Sequence, residues 1–112
     1  PRASLSRWDN PVASCEPLPA AQEWLLQQRR RWRQPLEQEI GYNEISQFAV
    51  CRLSFGRPYV DRERQRIYVR GVLSLQDRLD LTHEYLHLAF EAHPNGQDET
   101  YIEGLARHLL LE

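Results

Sequence analysis

The pentapeptide His83-Glu84-Tyr85-Leu86-His87 constrains this chain more than any other feature, because it lies in a segment that reads as a buried helix. On a helical wheel His83, His87, Glu84, Asp80, Glu91 and Gln76 share one sector. Leu75, Leu79, Leu81, Tyr85, Leu86, Leu88, Ala89, Phe90 and Ala92 fill most of the rest. A helix apolar on nearly all sides belongs in a core. A polar stripe along such a helix needs a reason, since uncompensated polar burial is costly. Two imidazoles four residues apart point from one face and can reach one ion. Zinc accepts neutral imidazole nitrogen at about 2.0–2.1 Å in roughly tetrahedral geometry. Glu84 then stands beside the open position, placed to take a proton from a metal-activated water and pass it to a leaving amine. The competing reading is a chance H-E-x-x-H on an ordinary helix, which would show a narrower apolar stripe.

The third ligand is less constrained. His93 follows His83 by ten positions, giving H-E-x-x-H-x5-H. Metzincins share that spacing, but they place Gly where this chain has Phe90, and the chain has no Met for a Met-turn. The pattern is closer to small zincin-like domains in which the third His opens the next helix. His93-Pro94-Asn95-Gly96 is turn chemistry, and a second helix follows. The expected metal set is therefore His83, His87 and His93, with Glu84 as general base and acid. Glu99 and Glu103 compete for the third place, as in gluzincins, since they share a face of the following helix. Otherwise His93 complements a helix C-terminus, Glu103 pairs with Arg107 on the surface, and Asp98 is an N-cap.

Beyond the pentapeptide, the stretch H-E-Y-L-H-L-A-F-E-A-H-P-N-G-Q-D-E-T-Y-I-E-G-L-A-R resembles the C-terminal domain of a family of uncharacterised bacterial secreted proteins. Their genes tend to sit beside those for bacterial alpha-2-macroglobulin. The resemblance covers about a quarter of the chain. It implies a periplasmic or secreted setting, a zinc peptidase-like domain, and association with an alpha-2-macroglobulin-linked envelope complex. It implies no particular substrate beyond a peptide or protein.

The remaining sequence supplies a scaffold of the right kind. Residues 1–19 read as an irregular segment and residues 20–112 as one zincin-like domain. Ala20 to Gln34 reads as a helix with Trp24, Leu25, Gln28 and Trp32 near one face, ended or interrupted by Pro35. Its run Arg29-Arg30-Arg31 with Arg33 could be a nucleic-acid patch, but a solvated helix face with the tryptophans in the core is the simpler reading. A formal net charge of −2 does not favour nucleic acid either. Strands are expected over Phe48–Phe55, Tyr59–Val60 and Arg66–Val72, with a turn at Asp61-Arg62-Glu63-Arg64. An antiparallel sheet is the simplest arrangement. Arg66–Val72 is the nominated edge strand for an extended peptide, because it directly precedes the metal helix. Ser74 starts that helix, with Asp77 as a capping-box carboxylate.

The expected fold is thus α+β, a minimal zincin-like core of N-terminal helix, small antiparallel sheet, H-E-x-x-H helix and return helix. Cys15 and Cys51 suit a single disulfide in an oxidising compartment, the alternative being two buried thiols. No apolar run is long enough to span a membrane and none reads as a signal peptide, so a signal or other domains are expected to lie outside this stretch. Starting at Pro1 without Met is expected of a processed or excised piece of a longer protein. The expected activity is peptide-bond hydrolysis by a zinc-activated water. The alternative is a zinc-stabilised binding module of the cell envelope with little or no turnover, which would keep the ligands but have no need of Glu84. A metal-free helical interaction domain is a third reading. The oxyanion-stabilising group is unassigned; Tyr101 and His108 could lie near one helix face, but core or surface roles suit both.

Overall fold

The structure, a computed structural model, describes residues 14–111. The irregular segment expected at the N-terminus therefore lies largely outside the described residues. Its end does not: Leu18 precedes α1 (Pro19–Glu37), with Pro in the first turn where a missing N–H costs nothing. Three short strands follow, β1 (Ala49–Arg52), β2 (Tyr59–Asp61) and β3 (Arg66–Val69), and then α2 (Leu75–Ala89) and α3 (Glu99–Leu111). The α+β class holds. No described helix is long and apolar enough to cross a membrane.

The sheet corrects two expectations. Its order is β1-β3-β2, with β1 parallel to β3 and β2 antiparallel to it, so it is mixed, not antiparallel. The Arg62–Gln65 turn makes the expected hairpin between β2 and β3. Residues 53–58 carry the chain past the place β3 will fill, which leaves β3 in the centre. The strand nominated as the edge is therefore the middle one, with Ile67, Tyr68 and Val69 all buried. Among the described residues the open edge belongs to β2. The outer edge of β1 is covered, because Pro17 bridges Cys51, Leu18 N–H donates to Val50 O at 3.0 Å and Arg52 N–H donates to Glu16 O at 2.7 Å. The Cys15–Cys51 disulfide ties that segment down.

α1 also runs further than expected, past Pro35 to Glu37. Proline removes one intrahelical bond, but Leu36 beyond it is only 1% exposed. Burial of a leucine, worth about 1.5–3 kcal/mol, holds the last turn. Trp32 is buried, while Trp24 is half-buried and meets its edge at 6.1 Å between centroids. The arginines beside them are engaged elsewhere. Arg33 grips both oxygens of Glu44, and Arg29 donates to Ile45 O. Arg33 thus lies on a solvated face, whereas Arg29 is largely buried against the loop at Glu44 and Ile45.

α2 begins as expected. Ser74 accepts from Asp77 N–H and Asp77 reaches back to Ser74 N–H, a complete capping box. It then runs between the sheet, α1 and α3. Leu81, Tyr85, Leu86 and Phe90 pack against Leu25, Trp32, Val50, Ile67 and Ile102. The buried Tyr85 hydroxyl meets Tyr42 OH at 2.8 Å, so no polar atom is stranded there. Because α2 is wrapped on most sides, its polar stripe has one outlet, the cleft between β2 and α3.

Candidate metal centre

α2 presents His83 and His87 one turn apart, with their Nε2 atoms 3.1 Å from each other. Glu99, the first residue of α3, closes the group: its Oε1 lies 2.6 Å from His83 Nε2 and 3.1 Å from His87 Nε2. Asp98 makes this possible by capping α3, accepting from Thr100 N–H and Tyr101 N–H as expected. The next residue, Glu99, is thereby aimed back across the cleft.

The far side of each imidazole is also held. His87 Nδ1–H donates to the Gly96 carbonyl at 2.9 Å. His83 Nδ1 pairs with Glu103 Oε1 at 2.8 Å, and Glu103 Oε2 accepts from Arg107 at 2.8 Å. A carbonyl only accepts, and an ionised carboxylate only accepts, so both Nδ1 atoms carry the proton of the neutral ring. Both Nε2 lone pairs then face the same space as a carboxylate oxygen. Three lone pairs converging there need positive charge between them. A proton on one ring satisfies one contact; a cation satisfies all three. Tetrahedral bonds of about 2.0–2.1 Å separate neighbouring donor atoms by about 3.3 Å; the two 3.1 Å contacts of His87 are close to that, whereas the 2.6 Å contact of His83 with Glu99 is shorter and would have to open for an ion. Two imidazoles and a carboxylate, with orienting partners behind the rings, are a donor set that fits zinc.

Electrostatics agree with a site that attracts cations. Burial would lower the His83 pKa, but hydrogen bonds to Glu99 and Glu103 overcome it and raise the value above the ordinary 6.5. Burial would raise Glu99, yet bonds to His87 and His83 hold it low. Glu84 is half-buried in the same cleft, and burial pushes its carboxyl up to about 7 against the pull of both histidines. A carboxyl poised there exchanges protons readily at neutral pH. The cleft has a volume of roughly 440 Å³ and is bounded by Asp80, His83, Glu84, Glu99 and Glu103 on the helices and by Arg57 and Pro58 opposite. It adjoins a shallower space walled by β2.

His93, the expected third ligand, is not brought to the pair. Its ring stacks on Tyr101 at 5.1 Å, meets Phe90 edge-on, and accepts from Asn95 N–H through Nδ1. The reason lies in Gly96. A Cβ there would sit 1.9 Å from the Phe90 carbonyl oxygen. The chain doubles back so tightly after α2 that the Gly96 carbonyl, and not the His93 ring, faces the metal pair. Of the two competitors for the third place Glu99 joins the pair, while Glu103 makes the expected Arg107 contact and lies behind His83 instead of beside both Nε2 atoms. Tyr101 donates to Glu39, and His108 lies by Trp32 and Arg31, so neither lines the cleft.

Comparison with known proteins adds a family. A model described as a predicted secreted protein (DUF2300) matches residues 1–95, a span that includes His83, Glu84 and His87. The uncharacterised protein YfaQ of Escherichia coli is 54% identical over 112 residues, which is all of this chain and 20% of that protein. The chain thus spans about a fifth of the length of that relative. No solved structure matches.

Proposed function

The chain belongs to the DUF2300 family of predicted secreted proteins, and from that premise we propose that it is a zinc-dependent peptidase domain acting outside the cytoplasm. Its disulfide fits that oxidising setting. One observation carries the proposal: His83 Nε2, His87 Nε2 and Glu99 Oε1 converge while both Nδ1 atoms are held from behind. Structural zinc sites use four protein ligands, whereas three with an open position are the catalytic pattern. His83, His87 and Glu99 would hold the ion, which when bound supplies Lewis acidity and lowers the pKa of water.

The chain's own residues do the rest. Glu84, beside the open position, takes the proton of the attacking water and returns it to the leaving amine. The open edge of β2 offers backbone groups to a peptide in extended form, a sequence-tolerant mode of capture. Pro58 and Tyr59 then set the near wall of the cleft.

Metal analysis of protein purified without chelator tests the proposal, followed by cleavage of a mixed peptide library read by mass spectrometry. One equivalent of zinc is expected, with cleavage lost in Glu84→Gln and zinc retained, because an amide is not a base at neutral pH. Zinc without any cleavage would favour an envelope binding module. Absence of zinc from the folded protein would remove both readings.

A further inference from the structure

We propose that Arg57 is the anion-recognising residue of this cleft, receiving a carboxylate of a peptide ligand in its guanidinium fork. The proposal rests on the reading of the cleft as a peptide site and adds to it a class of ligand.

Arg57 stands on the wall opposite His83 and Glu84. Among the described residues no hydrogen bond or ion pair engages its guanidinium. Its neighbours are committed: Arg62 to Gln97, Arg64 to Asp61, Arg70 to the Gly56 carbonyl and Arg107 to Glu103. Three of the four carboxylates of the cleft are committed too. Glu99 faces both Nε2 atoms, Glu103 is shared by His83 and Arg107, and Asp80 accepts from Gln76. Among the described residues Arg57 is thus an unpaired cation beside three carboxylates that already have partners, and it is available to a ligand.

The backbone delivers it there. Gly56 turns the chain at φ +86°, a conformation that favours glycine. Arg70 pins the Gly56 carbonyl, and Pro58 biases the residue before it to extended backbone. β2 starts at Tyr59, so a peptide lying along β2 brings one end, or an acidic side chain near it, to Arg57. The planar fork of arginine matches a carboxylate through two parallel hydrogen bonds, which a lysine does not reproduce.

The test uses zinc-loaded Glu84→Gln protein, so that ligands are bound and not consumed. Four N-terminally labelled octapeptides of one alanine- and leucine-rich sequence are titrated by fluorescence anisotropy. They combine a free or amidated C-terminus with one internal glutamate or glutamine. Peptides bearing the recognised carboxylate should bind about tenfold tighter or more. Loss on amidation identifies the C-terminal group, and loss on Glu-to-Gln exchange identifies the side chain. Adding Arg57→Gln should abolish the preference with zinc content unchanged, and Arg57→Lys should restore part of it. A preference that survives Arg57→Gln, equal binding of all four peptides, or no binding at millimolar peptide each overturns the proposal. If the parent protein takes no zinc, the peptidase reading falls alone. The same four peptides on the metal-free protein then judge Arg57 by the same criteria.

Discussion

His83 and Glu103 are joined through Nδ1 and Oε1 at 2.8 Å, and the other oxygen of Glu103 holds Arg107. One carboxylate therefore orients an imidazole of the candidate centre while being steadied by its own helix. Glu103→Ala should lower zinc affinity about 10–100-fold, the usual cost of losing such a partner. Competition against a chromophoric chelator measures it. Unchanged affinity would mean that the contact is only a surface ion pair.

Glu99→Ala should cost far more, orders of magnitude in zinc affinity, because it removes a donor. His93→Ala should leave zinc affinity near that of the parent and instead lower thermal stability. Its stack on Tyr101 and edge contact with Phe90 are worth roughly 0.5–1.5 kcal/mol each. The reverse pattern in zinc titrations would restore His93 as the ligand.

Gly96→Ala should damage the site from a distance. The added carbon would meet the Phe90 carbonyl, so the loop must shift and the carbonyl behind His87 with it. Weaker zinc binding together with a lower melting temperature is the expected pair of effects. A variant that keeps both would show that the loop can relax without moving His87.

The Arg33–Glu44 pair predicts a pH dependence away from the metal. The Arg33 hydrogen bonds hold the Glu44 carboxyl below its ordinary 4.5. A depressed folded-state pKa stabilises the native state above the unfolded value, and the benefit is lost as pH falls through the folded one. The difference in urea midpoint between the parent and Glu44→Gln should be full at neutral pH and shrink below about pH 4.5. A difference that stays constant down to pH 3 would refute the ionic origin.

Replacing both Cys15 and Cys51 by serine opens a loop whose ends are 36 residues apart. A loss of about 2–4 kcal/mol is expected, with faster amide exchange at Val50 and Arg52, where residues 16–18 no longer cover β1. Exchange rates equal to the parent's would show that the backbone bridge holds without the bond.

The helix of the site was legible because its evidence is periodic. His83, Glu84 and His87 share a face whatever the surrounding fold, and Ser74 with Asp77 marks the start. The Asp98 cap rested on equally local chemistry, whereas the cysteine pairing, across 36 residues, rested only on there being two cysteines and an oxidising compartment. The placement of His93 did not rest on local chemistry, since a spacing of ten residues through a turn leaves the ring's direction to the turn. Here the approach of Gly96 to Phe90 decides it, a contact that a lone glycine in a Pro-Asn-Gly run does not announce. Sheet order was hidden for a similar reason: strands of three or four residues do not name their neighbours. One signal was present. Ile67-Tyr68-Val69 is apolar at successive positions and buried on both faces, as a central strand requires.

Among the described residues, the covered flank of β1 leaves the sheet with a single place to grow. A second copy, a neighbouring segment of a longer chain or a misfolded fragment that seeks a strand partner would meet β2, beside the candidate metal centre. Self-association by that route would therefore plug the cleft, and any peptide occupying it would shield the sheet from aggregation. Solubility and occupancy are consequently coupled in this small domain through three residues, Tyr59, Val60 and Asp61.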